Sequence, residues 1–226
     1  MRAISAIIKT SVQEIQHRQV IAGNQPSVLA DIYQDVTNIV IWQRKLGDVL
    51  TQAADHILET KPALQFSVAV TPQSAYAIVN NALGATQAAA ALSEDVTQLV
   101  DMFCCLFDLK HAGLRLTAED RAMCPRFHFD RVPCRLVTTY RGIGTQWLAH
   151  HLVDRSKLGA GNQGKPDEHS GLFEKETDIQ QLSQGDVALL KGALWHGNED
   201  AGLVHRSPRL PYGTHRLLLT LDFIND

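Results

Sequence analysis

The hydrophobic period of this chain changes near Met123, and that change most constrains its fold. Before it, residues 75–109 are alanine-rich, with apolar residues spaced for two helices. Val96, Leu99, Val100 and Phe103 fall at i, i+3, i+4 and i+7, which is one face of a helix. After it, residues 135–140 (RLVTTY), 186–190 (DVALL) and 216–223 (RLLLTLDF) read as strands, with turn signals at Gly142-Ile143-Gly144 and Gly185-Asp186. In the last of these, Leu217, Leu219, Leu221 and Phe223 face one way, and Arg216, Leu218, Thr220 and Asp222 the other. Helices followed by a mainly antiparallel β half make an α+β arrangement.

The rest of the chain is less regular. Residues 12–19 have helical spacing, 36–42 (VTNIVIW) are β-rich, 46–58 return to helical spacing and 66–70 alternate as a short strand. Ser93-Glu94-Asp95 suits the N-cap and acidic first turn of the second alanine-rich helix, and Glu119-Asp120-Arg121 suits a solvated helix start. Residues 155–171 carry four glycines and no apolar periodicity, so they are expected to form a mobile loop, placed near the site mouth because lids are commonly loops.

Composition excludes several function classes. The 226 residues, 45% hydrophobic and 20% charged, suit one globular domain with a sizeable core. A net charge of -3 and the absence of a Lys/Arg run argue against nucleic-acid binding. No segment has the roughly 18 uninterrupted apolar residues of a membrane helix, and residues 1–9 are too weakly apolar for a signal peptide. A cytoplasmic protein is therefore expected, with Cys104, Cys105, Cys124 and Cys134 reduced and buried as small hydrophobes. No phosphate-binding glycine loop, G-x-S-x-G or H-E-x-x-H motif is present.

What remains is a set of metal-ligand residue types. His128-Phe129-Asp130 places an imidazole and a carboxylate two residues apart. In an extended segment Arg126, His128 and Asp130 share one face, while Phe127 and Phe129 anchor the other. A further histidine would complete a two-histidine, one-carboxylate set, which fills one side of an octahedral metal and leaves positions open, as in non-haem Fe(II) oxygenases. The candidates are His196 (LWHGN) and His205 (GLVHRSP). His205 lies eleven residues before Arg216, room for a ligand, a turn and a return strand, whereas His196 lies twenty before it, so spacing favours His205. Arg216 suits a bidentate grip on a carboxylate, and Tyr140 and Thr138 are further residues that could line the cavity. His150-His151 reads as surface.

The order His128-x-Asp130, His205, Arg216 resembles the Fe(II)/2-oxoglutarate-dependent oxygenase superfamily. The phrases GDVALLKG, GLVHRSP and RLLLTLDF, with YRGIGT at 140–145, look like an uncharacterised bacterial family carrying a domain of unknown function. The first resemblance implies a C-terminal antiparallel double-stranded β-helix, or jelly roll, with an N-terminal helical region. It divides a single domain into a mixed or helical part, 1–122, and a jelly-roll-like part, 123–226. It implies His128, Asp130 and His205 as Fe(II) ligands and Arg216 as the residue that binds the distal carboxylate of 2-oxoglutarate; Tyr140, a cavity-lining candidate or an ordinary strand residue, is taken beside it as a cofactor-binding candidate. Many members carry Ser or Thr two residues after that arginine, and here the residue is Leu218. The expected partner is a small-molecule or protein substrate; no motif encodes its identity or the oligomeric state. Two rival expectations stand beside this one: a module holding Zn2+ or Fe without turnover, and a metal-free jelly roll in which His128 and Asp130 hydrogen-bond each other.

Overall fold

The structure is a computed structural model and describes residues 18–224. Ten strands form two sheets. The larger sheet has the order β1-β2-β8-β5-β10-β4-β3. Its strands are β1 Gln19–Gly23, β2 Thr37–Trp42, β3 Gln65–Val70, β4 Ala112–Glu119, β5 Cys134–Arg141, β8 Val187–Lys191 and β10 Arg216–Asp222. Only β1 and β2 run parallel; every other neighbouring pair is antiparallel. The smaller sheet is β7-β6-β9, from β6 Gln146–Leu148, β7 Ile179–Gln181 and β9 Val204–Arg206.

Four of the seven strands in the larger sheet, β1 to β4, therefore come from before residue 123. The expected succession of helices and then strands is corrected: both halves of the chain build one sheet. Gln19 opens β1 rather than ending a helix, and most of the expected helix at 12–19 lies outside the described residues. Glu119 is not a helix start. It closes β4, buried, directly across from Arg216 of β10.

Three helices cover one face of the larger sheet: α1 Asp48–Thr60, α2 Pro72–Leu83 and α3 Gln87–Phe107. The predicted stripe Val96, Leu99, Val100 and Phe103 is buried there against Leu217, Leu219 and Leu221 of β10. The helix α3 starts earlier than Ser93-Glu94-Asp95 suggests. Thr86 is its N-cap and accepts the Ala89 N–H at 3.1 Å, while Ser93 sits inside it with its hydroxyl donated to the Ala89 carbonyl at 2.6 Å. Alanines 88–91 carry the helix back to the threonine because they suit helix interiors. Thr86→Ala should cost about 1 kcal/mol in a urea titration; an unchanged midpoint would show that the cap is idle.

Trp147, Leu182 and Leu203, around the smaller sheet, pack on Ile39, Ile41, Val137, Ala188 and Leu190 of the larger one. The cavity described below opens in this inter-sheet layer. The YRGIGT turn shapes its floor: a Cβ on Gly144 would collide with the Leu182 carbonyl, and Thr145 next to it receives the Leu182 N–H on its own carbonyl at 2.9 Å. Of the four cysteines, all free, Cys104 and Cys134 are buried but Cys105 and Cys124 are exposed, which corrects the expectation that all are core residues. No described helix is long and apolar enough to cross a membrane.

Candidate metal centre

His128 and His205 meet through the backbone. The His128 N–H donates to the His205 carbonyl at 3.0 Å and the His205 N–H to the His128 carbonyl at 2.8 Å. This isolated antiparallel bridge sets the residues directly opposite each other, so their side chains leave the same face, with ring centroids 4.6 Å apart. Asp130, two residues on, reaches the same point. One ligand atom from each of His128, Asp130 and His205 lies within 4.8 Å of the others. His205 Nε2 is 3.4 Å and His128 Nε2 3.8 Å from Asp130 carboxylate oxygens.

The second ring nitrogens fix which nitrogen faces the cluster. His128 Nδ1 is 2.9 Å from the Arg126 carbonyl and His205 Nδ1 is 3.1 Å from the Leu203 carbonyl. A carbonyl only accepts, so each Nδ1 carries the proton and each Nε2 presents its lone pair to the shared point. Burial, and then the neighbouring His205, hold the His128 pKa below its ordinary value, which favours the neutral ring a metal needs. Burial pushes the Asp130 carboxyl up, but in the metal-free cluster a protonated His205 hydrogen-bonded to it, together with the charges of His205, Arg135 and His128, brings it down to about 2. The donor set of two neutral imidazoles and one carboxylate fits a divalent metal.

Three features position Asp130. Arg135 donates to its Oδ2 at 2.7 Å while gripping Asp222 at 2.7 and 2.9 Å. The Ala193 N–H donates to the Asp130 carbonyl at 2.9 Å. Gly192, the last residue of GDVALLKG, permits that approach, because a Cβ there would collide with the Val132 carbonyl. Arg135→Gln removes the charge behind the carboxylate and should weaken metal binding by roughly 10- to 100-fold in equilibrium dialysis. Unchanged affinity would reduce Arg135 to a strut toward Asp222.

Of the two phenylalanines only Phe127 takes the core position that the alternation implies, and Phe129 is half-buried. Phe127 is buried against Phe173, and Phe129 lies under the Arg155 guanidinium at 5.0 Å. Arg126 does not join the cluster: its guanidinium turns to Asp167 and to the Lys165 carbonyl. Residues 155–171, expected to be a mobile loop, contain 3-10 turns at Arg155–Lys157 and Gly159–Asn162 and a one-turn helix at Asp167–Ser170. Asp167 is buried, accepts the Phe127 N–H at 2.8 Å and pairs with Arg206 at 3.2 Å. That pairing pins the segment beside His128, and composition gave no sign of it.

The triad opens on a cavity of about 90 Å³ whose walls include Arg115, Thr117, Glu119, Thr145, Leu218 and Thr220. Leu218 and Thr220 face it as the alternation of β10 predicts. Arg216 lies behind Glu119 and Thr145, completely buried. It donates to Thr145 Oγ1 at 2.6 Å and Thr139 Oγ1 at 3.1 Å, and its Nη1 is 3.4 Å from Glu119 Oε2. Tyr140 does not line the cavity. Alternation along β5 sends Arg135, Val137 and Thr139 inward and Leu136, Thr138 and Tyr140 toward the helices, where the Tyr140 hydroxyl donates to Asp95 of α3 at 2.6 Å. His196 is exposed in the turn after β8 and is absent from the cluster. Glu119, Thr139, Thr145 and Arg135 were missed as site residues; the alternation Arg115, Thr117, Glu119 in GLRLTAE could have pointed to the first.

A family model described as "Protein of unknown function (DUF1826)" matches residues 23–222. No curated protein matches the chain. Among solved structures the chain is similar to the rice dioxygenase for auxin oxidation, with 10% identity, TM-score 0.48 and coverage of 91% of this chain and 82% of that one. For the Arabidopsis thaliana dioxygenase for auxin oxidation 1, in a complex with 2-oxoglutarate, the values are 9%, 0.47, 92% and 93%. For a Pseudomonas putida prolyl-4-hydroxylase they are 13%, 0.45, 87% and 90%.

Proposed function

The chain belongs to the DUF1826 family of unknown function, and we propose that it is a mononuclear non-haem Fe(II) oxygenase of the 2-oxoglutarate-dependent type. We read its two facing sheets as a double-stranded β-helix and its substrate as a small molecule or protein that undergoes hydroxylation. The observation that carries this reading is the convergence of His128, Asp130 and His205, with both imidazoles oriented by carbonyls, at the wall of a cavity. A divalent metal held by these three side chains would keep further coordination positions free, as two-histidine, one-carboxylate sets do. Fe(II) held there would supply the oxygen chemistry. The chain's own residues hold the ligands: the histidine backbones pair, Arg135 fixes Asp130, and Asp167 clamps the segment before His128.

The residues fit the metal better than they fit the cosubstrate. Tyr140 points to the helices, and Arg216 already faces a carboxylate, that of Glu119. This observation favours a second reading, a metal-binding module without turnover, holding Zn2+ or Fe. Succinate formation from 2-oxoglutarate under Fe(II) and O2 separates the two. The oxygenase should release succinate, and the His128→Ala variant should not. One bound metal per chain with no succinate would leave the module reading.

A further inference from the structure

Arg216 and Glu119 are cross-strand partners, so their side chains leave the same face of the sheet. Both are almost wholly buried, at 1% and 3% side-chain exposure. The guanidinium makes close hydrogen bonds to Thr145 and Thr139, yet its only carboxylate contact among the described residues is one Nη1 to Oε2 approach of 3.4 Å. That is longer than the 2.7–2.9 Å or so of a well-made charge-assisted bond, and it is not bidentate. Glu119 Oε1 is tethered no better, by the Thr117 hydroxyl at 3.4 Å. The carboxylate lies on the cavity wall, the arginine behind it. An anion entering beside the triad meets Glu119 before Arg216, and two carboxylates cannot share one guanidinium edge without repulsion.

We propose that Glu119 is a built-in competitor for the anion seat at Arg216, so that an incoming carboxylate binds only by displacing it. This inference rests on the reading that the cavity takes 2-oxoglutarate. Glu119 then sets the threshold for cosubstrate binding: a ligand gripping the guanidinium with two oxygens displaces a single-point contact, and a ligand offering less does not. Removing the carboxylate while keeping its shape lowers the threshold. The variant also loses the anion that balances Arg216, so it should be less stable alone and regain stability when 2-oxoglutarate binds.

The test is calorimetry of 2-oxoglutarate with anaerobic Fe(II)-loaded wild type, Glu119→Gln and the double variant Glu119→Gln/Arg216→Lys, with thermal unfolding of each. Glu119→Gln should bind at least tenfold tighter than wild type, and the double variant should lose that gain. 2-Oxoglutarate should also raise the unfolding midpoint of Glu119→Gln more than that of wild type. Should the glutamine variant fail to fold, Glu119→Asp, which draws the carboxylate back by one methylene, should show a smaller gain in the same direction. Equal or weaker binding by a folded, metal-loaded variant overturns the competitor role and makes Glu119 a support for Arg216. If wild type and variants all bind Fe(II) but none binds 2-oxoglutarate, the cosubstrate reading fails and the inference falls with it.

Discussion

Replacing His205 with alanine should abolish stoichiometric Fe(II) or Zn(II) binding and leave the protein folded. The two histidines are held opposite each other by their main-chain N–H and C=O groups, which alanine keeps. The ring itself is what is lost, and it is one of the three proposed ligands. Changes behind a ligand already cost roughly 10- to 100-fold in affinity, so loss of the ligand itself costs more. His128→Ala and Asp130→Ala should behave alike, with Arg135 retained by Asp222 in the latter. His196→Ala is the control: its side chain is exposed in the turn after β8, and metal content should not change. Equilibrium dialysis with far-UV circular dichroism measures both quantities. Full occupancy in His128→Ala, or loss only in His196→Ala, would put the centre elsewhere.

The second large effect is on stability. Arg216→Met leaves the Glu119 carboxylate buried without its cation, and breaking such a pair costs about 3–5 kcal/mol. The cost depends on pH in a definite direction. Burial already raises the Glu119 pKa above its ordinary 4.5, with Arg216 and then Thr117 pulling it back. Without Arg216 the folded-state value rises further. A carboxyl with a raised folded-state pKa binds its proton more tightly folded than unfolded. Stability is therefore kept below the unfolded-state pKa and lost as pH rises through the folded-state value. Urea titrations should show Arg216→Met close to wild type near pH 4 and far below it at pH 7. In Arg216→Met/Glu119→Leu, which removes both charges, much of the loss at pH 7 should be recovered. A pH-independent deficit would mean that packing, not charge, is what Arg216 supplies.

Sequence alone exposed those parts of this molecule whose physics is local. The stripe through Val96, Leu99, Val100 and Phe103 declared its helix, and the alternation of β10 sorted Leu217, Leu219 and Leu221 from Leu218 and Thr220. The candidate cluster of His128, Asp130 and His205 could be assembled from sequence because few residue types bind metals and the downstream choice lay between two histidines. What stayed hidden depends on partners distant in the chain. Glu119-Asp120-Arg121 has the composition of a helix start, yet pairing with Arg216, 97 residues away, makes Glu119 the end of a strand. Tyr140 could equally have faced the cavity, because the direction of alternation in β5 is set by its neighbours β8 and β10. Asp167 lies in a glycine-rich run that looks mobile, and its ion pair with Arg206, 39 residues on, anchors that run. Glu119 and Asp167 are buried carboxylates whose distant partners decide their structure, and Tyr140 is a buried hydroxyl turned by its strand neighbours.

The most direct measurement is an anaerobic titration of the Fe(II)-loaded protein with 2-oxoglutarate, followed by visible absorption. An Fe(II) centre built from His128, Asp130 and His205 that takes the cosubstrate should give a saturable metal-to-ligand charge-transfer band. The band should appear at lower 2-oxoglutarate in Glu119→Gln and be absent from His205→Ala. One Fe(II) bound per chain, with no band in wild type or Glu119→Gln at any 2-oxoglutarate concentration, would contradict the oxygenase assignment.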